Sequence, residues 1–198
     1  MDLNFRQTAQ YSAVLLIIAA TTQAIYTGLY IAEIQPPRTL LWGSEGLLFT
    51  VLAAFAGAAM AQASRLHLVW AAITASAVLN VVQVGVGLTM FGPFREVAEA
   101  VPEAAPAAGA IVAFSFMVYN AAKVLLAFAL IVAALAKMNA GSKALGGVSV
   151  LVGVVAFIAN TLSMALGRGF TELPIAGGSG VLATILLAVC LFTLPSDD

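Results

Sequence analysis

Six long apolar runs, separated by short polar or turn-rich breaks, constrain the fold more than any other feature of this sequence. A helix rises about 1.5 Å per residue, so about 20 apolar residues can cross the roughly 30 Å hydrocarbon core of a bilayer. The sequence therefore predicts an all-α, polytopic membrane protein with six transmembrane helices in a bundle and one domain, residues 1–198. The predicted spans are residues 10–32, 40–63, 67–91, 109–136, 145–167 and 174–194.

The composition is typical of a protein embedded in a bilayer. Hydrophobic residues make up 62% of the sequence and charged residues 9%, whereas a soluble domain is about 25% charged. So few polar side chains cannot cover a water-exposed surface, and the lipid bilayer is the first predicted partner. The formal net charge is −1 and basic residues form no run, so nucleic acid is not predicted as a partner.

The distribution of charges in the breaks predicts an orientation. With six spans both termini share one side, which carries the four bases Arg6, Arg65, Lys137 and Lys143, against three arginines on the other side. The positive-inside rule then favours cytoplasmic termini in the plasma (inner) membrane. The string MDLNFRQTAQ lacks the cationic start of a cleaved signal, so the first apolar run is predicted to be retained.

The longest break and the tryptophans give two further expectations. Residues 92–108 are too apolar for a free linker and too short for a domain, and a short surface helix is predicted at residues 95–100. Trp42 and Trp70 start the second and third spans, where an interfacial aromatic belt is expected. No segment could fold as a soluble domain, so the function is predicted to reside in the membrane bundle.

Three helical hairpins can be aligned with one another along the sequence. Their first helices contain TTQAIYTGLY, VLNVVQVGVG and IANTLSMALG, which place a carboxamide at the same point: Gln23, Asn80 and Asn160. A proline follows each carboxamide by 13 or 14 residues. Membrane helices draw on few residue types, so such matches also arise by chance. A threefold pseudo-repeat of hairpins and chance similarity both stay open.

Polar and small residues recur every three or four positions in several spans and so share one helix face. The third span carries Ser76, Asn80, Gln83 and Gly87, and a stripe of small or polar residues runs through residues 149–167 of the fifth. A carboxamide facing lipid would lose its hydrogen bonds, so these faces should point at one another or at enclosed water. The fifth-span stripe favours helix packing. Asn80 and Gln83 fit packing and a solute-binding wall equally well.

Lys123 is the charge at the middle of the fourth predicted span. Such a charge costs a few kcal/mol or more in a bilayer, and the side chain is too short to reach water from there. It must pair with an acid, face an enclosed wet site, or lose its proton. Glu45, slightly inside the second span, is the acid within reach, either directly or through water or an asparagine. Tyr119 and Asn120 lie one turn before Lys123.

The sequence lacks the residues that several kinds of chemistry require. One histidine, His67, and one cysteine, Cys190, supply neither a pair of axial haem ligands nor a disulfide or a multi-cysteine metal site. The GGSG string at residues 177–180 has no histidine in a neighbouring span to act as a base. No phosphate loop or dinucleotide fingerprint is present. The sequence therefore predicts that the protein is not an enzyme and that it uses no metal and no cofactor.

Two functions fit these features. The first is a small-solute or proton-coupled permease or channel, whose partner is a small polar or anionic solute. The second is a non-catalytic accessory subunit of a larger membrane complex, in which the lysine is structural or meets an acid of a membrane protein partner; a homo-oligomer is a further option. The residues predicted to bind the solute or ion are Lys123, Glu45, Asn80, Gln83, Asn120, Gln23, Asn160 and Tyr119.

Overall fold

The computed structural model describes residues 3–167 and 174–193, and its regular structure there is entirely helical. Each of the six long helices is long and apolar enough to span a membrane. The predicted all-α bundle of six membrane-spanning helices is therefore confirmed. The helices are α1 (Phe5–Ile31), α2 (Arg38–Gln62), α3 (His67–Ala100), α4 (Ala105–Asn139), α5 (Lys143–Leu166) and α6 (Ile175–Phe192).

Two expectations rest partly on residues outside this description. Arg168 is one of the three arginines counted on the side opposite the termini, and residue 194 ends the sixth predicted span. Both lie outside the described residues. The other helix bounds lie within four residues of the predicted spans, except at two ends. The first helix begins at Phe5, behind an Asn4 cap, and not at residue 10, and α3 ends at Ala100 and not at residue 91.

Five of the helices form a ring. Consecutive helices pack against each other, and α6 also packs against α1 and α4. This closes a ring of α1, α2, α3, α4 and α6, and leaves α5 outside it against α4 and α6. One apolar cluster fills part of the interior with a fully buried side chain from each ring helix: Leu16, Leu52, Ile73, Leu130 and Leu187.

The third and fourth helices are longer than the rest of the bundle. They have 34 and 35 residues, about 50 Å each, whereas the other helices have between 18 and 27. Trp42, near the start of α2, lies against Gly87, so the part of α3 after residue 91 extends past the first turn of α2. The single 3₁₀ turn Pro102–Ala104 joins this projecting end to α4.

The predicted connection at residues 92–108 is therefore mostly helical. Gly92 and Pro93 indicated a break, but α3 continues through Pro93 to Ala100. A proline removes one backbone hydrogen bond and bends a helix without always ending it. The predicted surface helix at residues 95–100 is the last part of α3. The projecting hairpin also means that the middle of α4 does not coincide with the middle of the bundle.

Both tryptophans lie inside the bundle, and the expectation of an exposed aromatic belt is wrong for them. Trp70 is completely buried, and its ring packs edge-on against Phe5 with ring centres 5.8 Å apart. Trp42 is also buried and contacts aromatic rings of α1 and α3. Their positions at helix starts are as predicted, but helix packing turns both indoles inward.

The small-residue stripe of α5 is a packing face. A Cβ at Gly146 would lie 2.8 Å from the Ala134 carbonyl oxygen of α4, and one at Gly153 would lie 2.8 Å from Cγ1 of Ile131. These glycines therefore let the two helix backbones approach closely, as small residues do in membrane bundles.

Replacing Gly146 with alanine is expected to lower the free energy of unfolding by about 1–3 kcal/mol, because the added methyl group would press on the backbone of α4. Gly147 is the matched control, since a Cβ there meets no atom within 4 Å. Its replacement with alanine is expected to be neutral or to stabilise α5 by up to about 1 kcal/mol. Thermal unfolding of both variants in detergent micelles would check this. Equal losses of stability would contradict the close packing of α4 and α5.

Candidate functional site

Lys123 lies at the centre of α4, and 1% of its surface is exposed. Its Nζ donates hydrogen bonds to Gln23 Oε1 at 2.5 Å and to Thr184 Oγ1 at 3.3 Å. The same nitrogen lies 5.4 Å from the centre of the Tyr119 ring. Oxygen acceptors and an aromatic face both stabilise an ammonium, so α1, α4 and α6 together surround this charge. It does not face lipid.

A glycine of α6 makes room for the lysine. A Cβ at Gly180 would lie 3.1 Å from Cδ and 3.4 Å from Cγ of Lys123, so α6 contacts the aliphatic part of the side chain directly. The same position is 3.6 Å from Nδ2 of Asn160, which donates a hydrogen bond to the Ala176 carbonyl of α6. Asn160 therefore lies at the edge of the lysine site, although α5 is outside the ring.

Glu45 is the acid of the same interior. It is buried, and Thr22 Oγ1 donates a hydrogen bond to its Oε1 at 2.8 Å. Thr22 and Gln23 are consecutive residues of α1, so neighbouring side chains of one helix hold the acid and the base. The Glu45 carboxylate lies near enough to Lys123 for the two opposite charges to attract each other.

Glu45 and Lys123 do not form a direct ion pair. The one ion pair within 4 Å in the part of the chain that the structure describes is Arg95–Glu99, on the projecting end of α3. Of the two kinds of contact that the sequence left open, the direct pair is thus not formed. Thr22 bonds to Glu45 and the adjacent Gln23 accepts from Lys123, so two consecutive residues of α1 contact the two charges.

Three predicted site residues lie elsewhere. Gln83 donates a hydrogen bond to Ser115 Oγ at 3.4 Å across the α3–α4 interface. Asn80 and Asn120 donate to carbonyl groups of their own helices, those of Ser76 and Phe116. Beside Asn80, the Ser76 hydroxyl donates to the Ala122 carbonyl, one residue before Lys123. The Gln83–Ser115 and Ser76–Ala122 hydrogen bonds join α3 to α4, whereas those of Asn80 and Asn120 stay within one helix. In the described part of the chain the hydrogen bonds of Lys123 go to Gln23 and Thr184 instead.

Two carboxamide oxygens next to the site accept no hydrogen bond from the part of the chain that the structure describes. They belong to Asn80 and Asn160, which are both fully buried and each donate to the carbonyl four residues earlier. A buried acceptor without a partner costs about 1–3 kcal/mol, so each oxygen favours the arrival of a donor. Gln23 is bonded differently, since its oxygen accepts from Lys123. The threefold hairpin repeat therefore stays a prediction.

Two residues of the site were not predicted as binding residues. Thr184 belongs to a line of small residues in α6 that is typical of packing, and Thr22 adjoins the predicted Gln23. The Thr184 hydroxyl reaches Lys123 because α6 packs against both α1 and α4. The Thr22 hydroxyl reaches Glu45 across the contact between α1 and α2. No pattern in the sequence indicates that contact, but the burial of Lys123 requires acceptors on some neighbouring helix.

The site lies toward one end of the bundle. Gln23 is eight residues before the last residue of α1, Glu45 seven after the first of α2, and Thr184 nine after the first of α6. At about 1.5 Å per residue these distances are roughly 10–14 Å. The nearer end is the one at which α1 ends and α2 begins. Phe5, the first residue of α1, and Phe192, the last residue of α6, lie at the opposite end.

Replacing Thr184 with valine is expected to lower the free energy of unfolding by about 1–3 kcal/mol, because the change removes one of the two oxygen acceptors of a buried ammonium. Thr74 is a matched control, since its hydroxyl, like that of Thr184, donates to the carbonyl four residues earlier but accepts nothing from a lysine. The melting temperatures of the two variants would show the difference. Equal losses would mean that the contact with Lys123 contributes nothing.

Fold and site together define a class: a six-helix, multi-pass membrane protein with a buried, hydrogen-bonded lysine and a separate buried glutamate in one helical ring. Comparison of the chain with models of known protein families, with curated proteins and with solved structures gave no match. The function must therefore be argued from the site.

Proposed function

We propose that this protein is a small-solute or proton-coupled membrane permease or channel whose binding site is built around Lys123. The observation that supports the proposal is that side chains of three helices enclose the Lys123 ammonium. Beside it, Thr22, the residue before Gln23 on α1, holds the buried Glu45 carboxylate by a hydrogen bond. In a low-dielectric interior each of these charges acts far more strongly than in water. Ionisable residues inside a membrane bundle commonly mark a solute or ion pathway.

The residues have distinct proposed roles. Lys123 binds the anionic or acceptor group of the solute, which replaces Gln23 and Thr184 as hydrogen-bond partner. Glu45 balances the lysine charge and is the group that would take up a coupled proton. The unpaired oxygens of Asn80 and Asn160 accept hydrogen bonds from the solute or from water that comes with it. Gln83, Asn120 and Tyr119 complete the proposed lining.

The site is closed in the described conformation, because Lys123 and Glu45 are both buried. Transport therefore requires the helices or side chains around the site to open and close. Proteins of this kind expose a central site alternately to the two faces of the membrane by moving part of the bundle.

The proposed location is the plasma (inner) membrane with both termini in the cytoplasm. It is supported by the count of bases near the span ends, four on the side of the termini and three on the other. A reporter fused to the C-terminus that is active only in the cytoplasm would test this orientation.

An accessory subunit of a larger membrane complex is the second proposal. Lys123 has its hydrogen-bond partners within its own chain and is buried, as expected of a structural element that holds helices in position. An acid of another subunit could not reach it without opening the ring. The projecting ends of α3 and α4 are the surface that this proposal assigns to a partner protein.

A reconstituted flux assay separates the two proposals. Purified protein in liposomes would be tested for the flux of protons, chloride, acetate, glycerol, urea and zwitterionic glycine. We expect flux of at least one of these in the wild type, less in Thr184→Val, and no change in Thr74→Val. If the wild type carries none of them and mild detergent extraction yields a stoichiometric partner protein, the accessory role is supported and the transport proposal fails.

A further inference from the structure

We infer that Trp42, with Tyr26 and Phe91, forms the gate of the lysine site, and that solute reaches Lys123 only from the end of the bundle that this gate closes. This inference rests on the proposed function, because a gate has a purpose only if something passes. Three features of the described residues support it: the aromatic layer, the position of that layer relative to the site, and the apolar layer on the opposite side.

Three aromatic rings pack together between α1, α2 and α3 near one end of the helical ring. Trp42 of α2 lies between Tyr26 of α1 and Phe91 of α3, with ring centres 5.4 and 5.7 Å away. Gly87 provides the space for the indole, because a Cβ there would overlap the six-membered part of the Trp42 ring. Only 8% of the Trp42 surface is exposed. The indole therefore fills the interior between three helices.

The aromatic layer lies one turn above the polar site. Tyr26 is three residues after Gln23 on α1, in the direction of its end at Ile31, and Trp42 is three residues before Glu45 on α2. Residues three apart on a helix share a face. The gate therefore stands directly between the acid and base of the site and the nearer end of the bundle.

The opposite side of the site is closed by a deeper apolar layer. Three of its leucines lie seven residues, or two turns, from a polar residue of the site on the same helix face: Leu16 from Gln23, Leu52 from Glu45 and Leu130 from Lys123. All three are at most 1% exposed and belong to the apolar cluster shared by the ring helices. That layer presents leucine side chains to a polar solute and lies two turns from the site, whereas the aromatic layer lies one turn away, so the aromatic side offers the shorter route.

Arg38 lies on the outer side of the gate. It is exposed, and its guanidinium carbon is 5.2 Å from the centre of the Trp42 ring and 5.7 Å from that of Phe91. A cation at the mouth of a closed site raises the local concentration of anions. An anion that pairs with Arg38 competes with the cation–π contacts that hold the guanidinium over these rings. The gate is thus positioned to loosen when an anionic solute arrives.

Thiol labelling tests the gate without assuming transport. In a Cys190→Ala background, Thr184→Cys places a thiol inside the site, and an anionic, membrane-impermeant methanethiosulfonate is applied to proteoliposomes from either face. Labelling of a buried thiol follows the population of the open form. We expect Trp42→Ala to raise the labelling rate at least ~10-fold from the Arg38 face and to leave the rate from the other face unchanged.

Two further variants keep the test decisive. Gly87→Ala, which forces the indole to shift, should raise labelling in the same direction if Trp42→Ala does not fold. Trp70→Ala is the matched control, since this tryptophan is buried among other residues and contacts Phe5. Because its loss destabilises the bundle as a whole, it should raise labelling from both faces alike, without a preference for the Arg38 face. Unchanged labelling in both gate variants, or equal labelling of these variants from both faces, would overturn the gate.

The gate and the proposed function can fail separately. If Trp42→Ala raises labelling but the wild type moves no solute in liposomes, the gate stands and the transport proposal fails. If the wild type moves solute while labelling does not respond to Trp42 or Gly87, the gate fails and the transport proposal stands.

Discussion

Replacing Lys123 with methionine is expected to lower solute or proton flux by at least ~100-fold while the protein still inserts and folds. Methionine keeps the length and apolar character of the lysine stem, which packs on Gly180, but removes the charge. A hydrogen bond to a charged group is worth about 1.5–3 kcal/mol. Loss of the charge that binds the solute is therefore expected to weaken solute binding by about 2.7 kcal/mol, which is a factor of about 100.

Lys137→Met is the matched control for this change. Lys137 is a buried lysine of the same helix, but it donates to the Thr193 carbonyl near the other end of the bundle. Its replacement should leave flux within about twofold of the wild type, because single changes away from a site are usually small. Flux would be measured in liposomes with equal amounts of folded protein. Wild-type flux in Lys123→Met would refute a binding role for this lysine.

The second large effect concerns the pairing of charges inside the ring. Glu45→Gln and Lys123→Met are each expected to lower the free energy of unfolding by about 2–4 kcal/mol, because each leaves an opposite buried charge uncompensated. The double variant should lose about 1–2 kcal/mol less than the sum of the two single losses. The reason is that the two opposite charges attract each other across the site without a direct contact.

A double-mutant cycle with chemical unfolding in micelles would measure this coupling. Glu45→Gln combined with Lys137→Met serves as the control, and its losses should add to within about 0.5 kcal/mol, since distant sites behave independently. If Glu45→Gln and Lys123→Met were also additive, the two charges would be energetically unconnected. The site would then consist of a lysine alone, and the proposed role of Glu45 in proton coupling would have to be abandoned.

The six helices could be predicted because unpaired backbone groups are costly in lipid. A long apolar run avoids that cost by forming a helix, in which the backbone groups bond to one another. The burial of Lys123 followed from the same physics, since a charge in the middle of an apolar run must find acceptors. Periodicity shows which residues share a face of one helix. It does not show which helix that face meets, and so Gln23 could be predicted as a site residue but not as the acceptor for Lys123.

The remaining parts of the site depend on helix order and length. Thr184 reaches Lys123 because α6 closes the ring against α1 and α4, a contact between the two ends of the described chain. The length of α3 was missed because Pro93 is usually a helix boundary, whereas here the helix continues to Ala100. The inward position of Trp42 depends on Gly87, whose missing side chain leaves the space that the indole fills.

A density map of the wild-type protein in a lipid nanodisc, at a resolution that shows side chains, tests the central claim most directly. We expect the Lys123 nitrogen inside the ring, within hydrogen-bond distance of Gln23 Oε1 and Thr184 Oγ1, with Glu45 bonded to Thr22. A Lys123 nitrogen pointing at lipid acyl chains, or a ring in which α6 does not contact α1 and α4, would contradict it.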